Sequence, residues 1–324
     1  MKILLVQNSQ VPSAFSILPK HIKAIEKVSK KCKVVLVDVT KLSEHLADAD
    51  ILLVPSSMIG KINTKKSKIL KWIHVTSAGV NNLPEQILKS DIIITNSSGV
   101  HPIPIAEQVF TYMLMFARNI NQAIKSKAER KWLAHYEFNV LEVHGKTIGI
   151  VGFGRIGEKI AQLSKAFNMK VFGVTKTKRN SQKNVDRLFT LKDLDKLLSA
   201  SDFVISCLPG TRETYHLFDK NKFSMMKKSA YFINIGRGST VDEKDLISAL
   251  GGKIIKGAGL DVFEKEPLMP DSALWTMDNV ILTPHNAGLT PFYMDRVIDI
   301  FCENLKAYLS KKLMPNLVDK KLGY

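Results

Sequence analysis

The sequence predicts an α/β fold of two lobes, each a doubly wound parallel sheet. Three observations predict it. Short apolar runs of strand length alternate with amphipathic stretches along the whole 324-residue chain. A long strand-free segment over 102–131 interrupts the series once, before it resumes near 146. A glycine-punctuated turn then opens the second series directly after its first strand.

In the first series the expected strands are 2–7 (KILLVQ), 33–39 (KVVLVDV), 51–55 (ILLVP), 72–76 (WIHVT) and 91–95 (DIIIT). Helix-like patterns fall between them near 16–30, 41–49, 64–70 and 83–89. Crossover helices cover both faces of a parallel sheet, and five strands so joined fit a flavodoxin-like order. The segment 102–131 reads as helix, started by Pro102 and Pro104, because proline is tolerated only in a helix's first turn.

The second series has strands at 147–151 (TIGIV), 170–175 (KVFGVT), 202–207 (DFVISC), 230–235 (AYFINI), 256–261 (KGAGLD) and 279–283 (NVILT). The stretch 290–309 is again amphipathic and is expected to return the chain to the first lobe. The expected domains are 1–100, completed by 289–324, and 101–288. Two crossings between them suggest a hinge and a cleft, the usual place for a small ligand.

Composition narrows the class. With 45% hydrophobic and 24% charged residues the chain can bury a full core. Cys32, Cys207 and Cys302 are too scattered for a disulfide framework, and no Cys/His spacing suggests a metal. The chain starts on the strand-like MKILLVQ without the features of a signal peptide, and no apolar run reaches the length of a membrane span. The expectation is a cytoplasmic protein with no membrane partner. Forty-seven basic against thirty acidic residues give a net charge of +17. Such charge attracts a nucleic-acid backbone when clustered. No recognised binding motif accompanies it, so the expectation is a solvated lysine-rich surface and no nucleic-acid partner.

The strongest local signal is Gly152, Gly154 and Gly157, spaced G-x-G-x-x-G between a strand and a helix. The first glycine allows the tight turn, the second leaves room for a pyrophosphate, and the third lets helix and strand pack closely. Backbone N–H groups from Arg155 and Ile156 onward then bind the anion at the helix N-terminus. The second lobe is thus expected to be a Rossmann cofactor domain. A strand ending at 175 should present an acid to the ribose if the ligand is NAD. Thr175 stands there instead, no acid lies between Glu158 and Asp186, and Lys176, Lys178 and Arg179 follow. Hydroxyl and cations suit a 2′-phosphate, which favours NADP over NAD.

Arg237 follows a parallel strand between Gly236 and Gly238, with room to offer its planar fork to a carboxylate. His285 sits past another strand end, after Pro284 and before Ala287 and Gly288. Together GFGRIG (152–157), INIGRG (233–238), GLDVFEKEPL (259–268) and TPHNAG (283–288) resemble the D-2-hydroxyacid dehydrogenase family. In character they are closest to its glyoxylate/hydroxypyruvate reductase-like members.

The resemblance implies an Arg, a Glu and a His in the active site, falling on Arg237, Glu266 and His285; the residues alone do not separate Glu266 from Glu264. It implies reduction of a small 2-keto acid, with His285 donating the proton, Glu266 favouring the charged imidazolium and Arg237 binding the substrate. It further implies cofactor contacts at Ile105, Leu208, Pro209, Thr214, Ile235, Asp261, Ala287 and Gly288, with Asp261 on the nicotinamide carboxamide. Substrate contacts fall on Met58 and on Gly79 and Val80 of 77-SAGVNN-82. The loop near Met58 offers no arginine for a phosphate, which argues against phosphoglycerate. Trp132 resembles a tryptophan that closes the pocket from a partner subunit in some members, or is a simple core residue. The 102–131 stretch resembles the family's dimer-forming region, so a homodimer is expected. The alternative is a dinucleotide-sensing, corepressor-like interaction protein on the same scaffold.

Overall fold

Strands in which every residue is apolar are stable only when both faces are covered, and parallel sheets provide that. The computed structural model describes all residues except 9–11, 64–65, 81–82, 135–136, 177–181 and 321–324. It separates into two units, Met1–His101 with Leu289–Tyr324, and Pro102–Gly288.

The first unit is a five-stranded parallel sheet of β1 (Lys2–Gln7), β2 (Lys33–Asp38), β3 (Ile51–Val54), β4 (Trp72–Val75) and β5 (Ile93–Asn96), in the order β2-β1-β3-β4-β5. This is the flavodoxin-like order. α1 (Pro19–Val28), the single-turn α2 (Leu42–His45) and α3 (Glu85–Leu88) connect the strands. The C-terminal helix Tyr293–Leu309 buries Tyr293, Met294, Val297, Ile298, Phe301 and Leu305, a three-and-four spacing that makes one apolar stripe. That stripe joins Ile3, Leu5, Ile51, Leu53 and Trp72 in one core, where Phe301 stacks on Trp72 at 4.9 Å between ring centres. Stacking of this kind adds about 1 kcal/mol to the burial of the rings.

In the second unit α4 (Pro102–Ala117) and α5 (Ile120–Ala128) precede β6 (Thr147–Val151), α6 (Arg155–Ala166), β7 (Lys170–Thr175) and β8 (Arg187–Thr190). There follow α7 (Leu194–Ala200), β9 (Phe203–Ser206), α8 (Lys220–Ser224), β10 (Tyr231–Asn234), α9 (Glu243–Gly251), β11 (Gly257–Leu260) and β12 (Val280–Leu282). The seven strands run β12-β11-β10-β9-β6-β7-β8, all parallel, so the order reverses between β6 and β9. Ligands of such sheets bind beyond the strand ends at that reversal. Two apolar clusters sit in this unit, one including residues of α4 and α6 and the other residues of α7 and α9.

Several expectations need correction. The helix expected over 102–131 breaks at Asn119, whose φ of 52° is left-handed and cannot continue a right-handed helix. The segment 41–49 is only one α-turn between two 3-10 turns, and no α-helix lies in 66–70 among the described residues. Strand β8 has no counterpart in the expected list. It is an edge strand with a partly exposed RLFT pattern that carries little apolar signal. No helix among the described residues is long and apolar enough to cross a membrane.

Candidate active site

The glycine turn has the shape its spacing predicts. Gly152 has φ 98°, and a Cβ there would lie 2.8 Å from the Cys207 carbonyl oxygen, so only glycine fits. A Cβ on Gly157 would approach the Gly152 carbonyl oxygen to 2.8 Å, which is how helix α6 packs tightly onto the turn. Around Gly154, by contrast, the space is open. Arg155 is exposed in the first turn of α6 and Ile156 is half-buried beside it. A cradle with one open face at a helix N-terminus fits a pyrophosphate.

Thr175 is buried at the end of β7, and Lys176 pairs with Glu213 at 2.9 Å. Lys178 and Arg179 lie outside the described residues. The Thr214 hydroxyl donates to the Pro209 carbonyl at 2.6 Å and accepts from the Thr211 N–H at 2.9 Å. Its polar atom therefore shapes the 209–214 loop, a role the sequence did not suggest. Ile105, Leu208, Ile235 and Ala287 are buried apolar side chains, and Gly288 is half-buried. Burial pushes the Cys207 thiol far above its ordinary range, so it stays protonated and inert.

His285 and Glu266 meet. Nδ1 of His285 lies 2.7 Å from Oε2 of Glu266, while Oε1 of Glu266 accepts the Phe263 N–H at 3.0 Å. An ionised carboxylate only accepts, so Nδ1 carries the hydrogen and Nε2 is the nitrogen left for a reactant. The His285 side chain is half exposed. A cavity of about 570 Å³ opens beside the pair, lined by Phe263, Leu268, Trp275 and Leu282 with both polar groups in its wall. The neighbouring acid has another partner, for Glu264 Oε1 meets Nε2 of His216 at 2.7 Å. Geometry thus separates two acids that the sequence leaves open.

Arg237 follows β10, and its exposed side chain donates from Nη1 to its own neighbour's carbonyl, Gly236, at 2.7 Å. A guanidinium has five N–H donors, so this bond fixes the plane without using up the fork. Asn234 Nδ2 and Thr240 Oγ1 both donate to the Arg237 carbonyl, which fastens the backbone under it.

The turn carrying His285 has a support that the sequence did not reveal. His285 has φ 52°, a strained setting for a residue with a Cβ. Asp261, 2% exposed at the end of β11, accepts the N–H groups of Asn286 at 2.9 Å and Ala287 at 3.1 Å, and the Thr283 hydroxyl at 2.5 Å. Thr283 is in turn hydrogen-bonded to the phenol of Tyr112 on α4. Asp261 thus holds the histidine turn from behind. Thr283 could have been noticed from its place two residues before His285; Tyr112, in an apolar helix, carries no sequence signal.

In the first unit Met58 packs partly against the core, Gly79 is exposed with its carbonyl accepting from Ser77 Oγ at 2.6 Å, and Val80 is 3% exposed. Trp132 is 96% exposed, which overturns its reading as a core residue.

Comparison with known proteins adds to this geometry. Residues 110–287 match the domain described as "D-isomer specific 2-hydroxyacid dehydrogenase, NAD binding domain". The chain is 35% identical over 290 residues to a glyoxylate reductase of Pyrococcus furiosus, covering 87% of this chain and 86% of that one. A solved structure of a D-isomer-specific 2-hydroxyacid dehydrogenase family protein from Aeromonas salmonicida superposes with a TM-score of 0.81. It is 30% identical and covers 98% of this chain and 99% of its own. A D-isomer-specific 2-hydroxyacid dehydrogenase from Xanthobacter autotrophicus, solved with NADPH, superposes with a TM-score of 0.77 at 25% identity, covering 99% of each chain.

Proposed function

The chain belongs to the D-isomer-specific 2-hydroxyacid dehydrogenase family, and from that premise we propose that it reduces small 2-keto acids to D-2-hydroxy acids with NADPH, using His285 as the proton donor. The observation that carries this reading is the 2.7 Å pair of His285 and Glu266 at the wall of an apolar cavity.

The open face at Gly154 and the N–H groups of Arg155 and Ile156 hold the cofactor's pyrophosphate. When bound, the nicotinamide supplies hydride to the substrate's C2. Negative charge then grows on the substrate oxygen, and the imidazolium Nε2–H of His285 stabilises and finally protonates it. Glu266 keeps the ring oriented through Nδ1. Arg237 binds the carboxylate or carbonyl and fixes the reacting carbon, a positioning effect worth several powers of ten in rate. The reading also assigns Met58, Gly79 and Val80 to substrate binding. A Met58→Ala change should then alter the preference among keto acids.

Preference for NADPH rests on Thr175, Lys176, Lys178 and Arg179 in place of an acid. The NADPH-bound relative is in keeping with it. NAD remains a usable cofactor in this reading, and Arg179→Ala should narrow the preference ratio. A homodimer completes the proposal, with sedimentation as its check. The deciding experiment measures glyoxylate and hydroxypyruvate reduction with both cofactors. His285→Gln should cost about 10³-fold in kcat; an unchanged rate would remove His285 as the acid.

A further inference from the structure

We propose that Tyr112 is a positioning residue for His285, acting through Thr283 and Asp261. The inference rests on His285 being the proton donor.

Hydrogen-bond direction can be assigned along the whole chain of contacts. Asp261 is an acceptor, so the single hydroxyl hydrogen of Thr283 points to its Oδ1. Thr283 Oγ1 therefore accepts from the Tyr112 O–H, which makes the phenol the terminal donor. Successive donors polarise one another, so the Tyr112 O–H strengthens the bond that Thr283 makes to the carboxylate.

The carboxylate matters because of what it clamps. Asp261 is buried, and its carboxylate also accepts the N–H groups of Asn286 and Ala287, the two residues after His285. Those bonds hold His285 in its left-handed backbone setting and aim the imidazole at Glu266. A loosened clamp lets the turn relax, and the ring loses its alignment. Small displacements of this kind reach the rate because proton transfer depends on near-contact geometry.

The protein makes specific room for the phenol ring. Tyr112 is fully buried on α4, over Gly259 of β11, where an added Cβ would come within 2.8 Å of the ring's Cγ. Burial pushes the Tyr112 phenol up to about 12, so it remains an O–H donor across any ordinary assay range.

The test is a double-mutant cycle with Tyr112→Phe, which keeps the ring and removes only the donor. The expected result is an approximately 5-fold to 10-fold loss of kcat for glyoxylate, with the KM for NADPH within about twofold of wild type. In the His285→Gln background the same change should cost nothing further. Thr283→Val should reproduce the loss, and Thr283→Ser, which keeps the hydroxyl, should recover most of it. A wild-type kcat in Tyr112→Phe, or an equal loss in both backgrounds, overturns the inference alone. Intact turnover in His285→Gln overturns the proton-donor reading and this inference with it.

Discussion

Gly238 faces the backbone of Phe263 so closely that a Cβ at 238 would lie 1.8 Å from the Phe263 carbonyl oxygen. The segment it touches leads to Glu266, whose Oε1 is held by the Phe263 N–H. Gly238→Ala should therefore displace the acid-bearing loop, because the obstacle is backbone and cannot rotate away. We expect a stability loss of about 3 kcal/mol, read from urea midpoints, together with loss of most activity.

Glu266→Gln keeps a hydrogen-bonding side chain of the same size and removes the charge. The amide supports the imidazolium less well than a carboxylate does. Turnover should fall about 10²-fold with little change in cofactor affinity, as judged by steady-state kinetics and cofactor titration. Glu264→Gln, which faces His216, should cost far less.

Beside the proposed 2′-phosphate site, Lys176 pairs with Glu213. Both side chains are largely exposed, so their mutual attraction is weak. The Glu213 carboxylate nevertheless opposes a 2′-phosphate placed beside Lys176. Glu213→Gln should tighten NADPH about threefold at low ionic strength and leave NADH unchanged. An unchanged ratio of the two dissociation constants would remove Lys176 from the phosphate site.

His74 makes the first unit sensitive to acid. It is fully buried in β4, with Nδ1 at 2.7 Å from Thr95 Oγ1 and Nε2 at 3.0 Å from Ser97 Oγ. Trp72 Nε1 donates to Thr95, and Ser97 donates to the Val75 carbonyl. This network suits a neutral ring with its hydrogen on Nε2, and burial pushes the imidazole down to about 3 from 6.5. The unfolded chain thus binds a proton that the folded chain refuses. The stability this group contributes is whole above 6.5 and is lost as the pH falls toward 3. The slope is on the order of 1 kcal/mol per pH unit. Urea unfolding followed between about pH 7 and about pH 4.5 should show it, and His74→Gln should flatten it.

What could be read from the sequence follows from how local each signal is. Runs such as ILLV and FVIS specify their strands because nothing but a doubly covered sheet accommodates them. The glycine turn is legible because each glycine answers a steric demand within a few residues of itself. Asn119 and β8 escape notice because one is a single backbone reversal and the other an edge with mixed exposure. At the site, Glu264 and Glu266 are indistinguishable in sequence because only the folded loop decides which acid faces which histidine. Tyr112 and Thr283 are 171 positions apart, and their hydrogen bond exists only once α4 lies against the sheet.

The left-handed backbone at residue 285 sets durability against the proposed proton donor. Glycine at that position would relieve about 1 kcal/mol of steric strain and remove the proposed proton donor. Any laboratory selection that rewards heat resistance alone is therefore drawn toward losing the imidazole. Only a screen that also demands product will keep a histidine where the chain would be more comfortable without one.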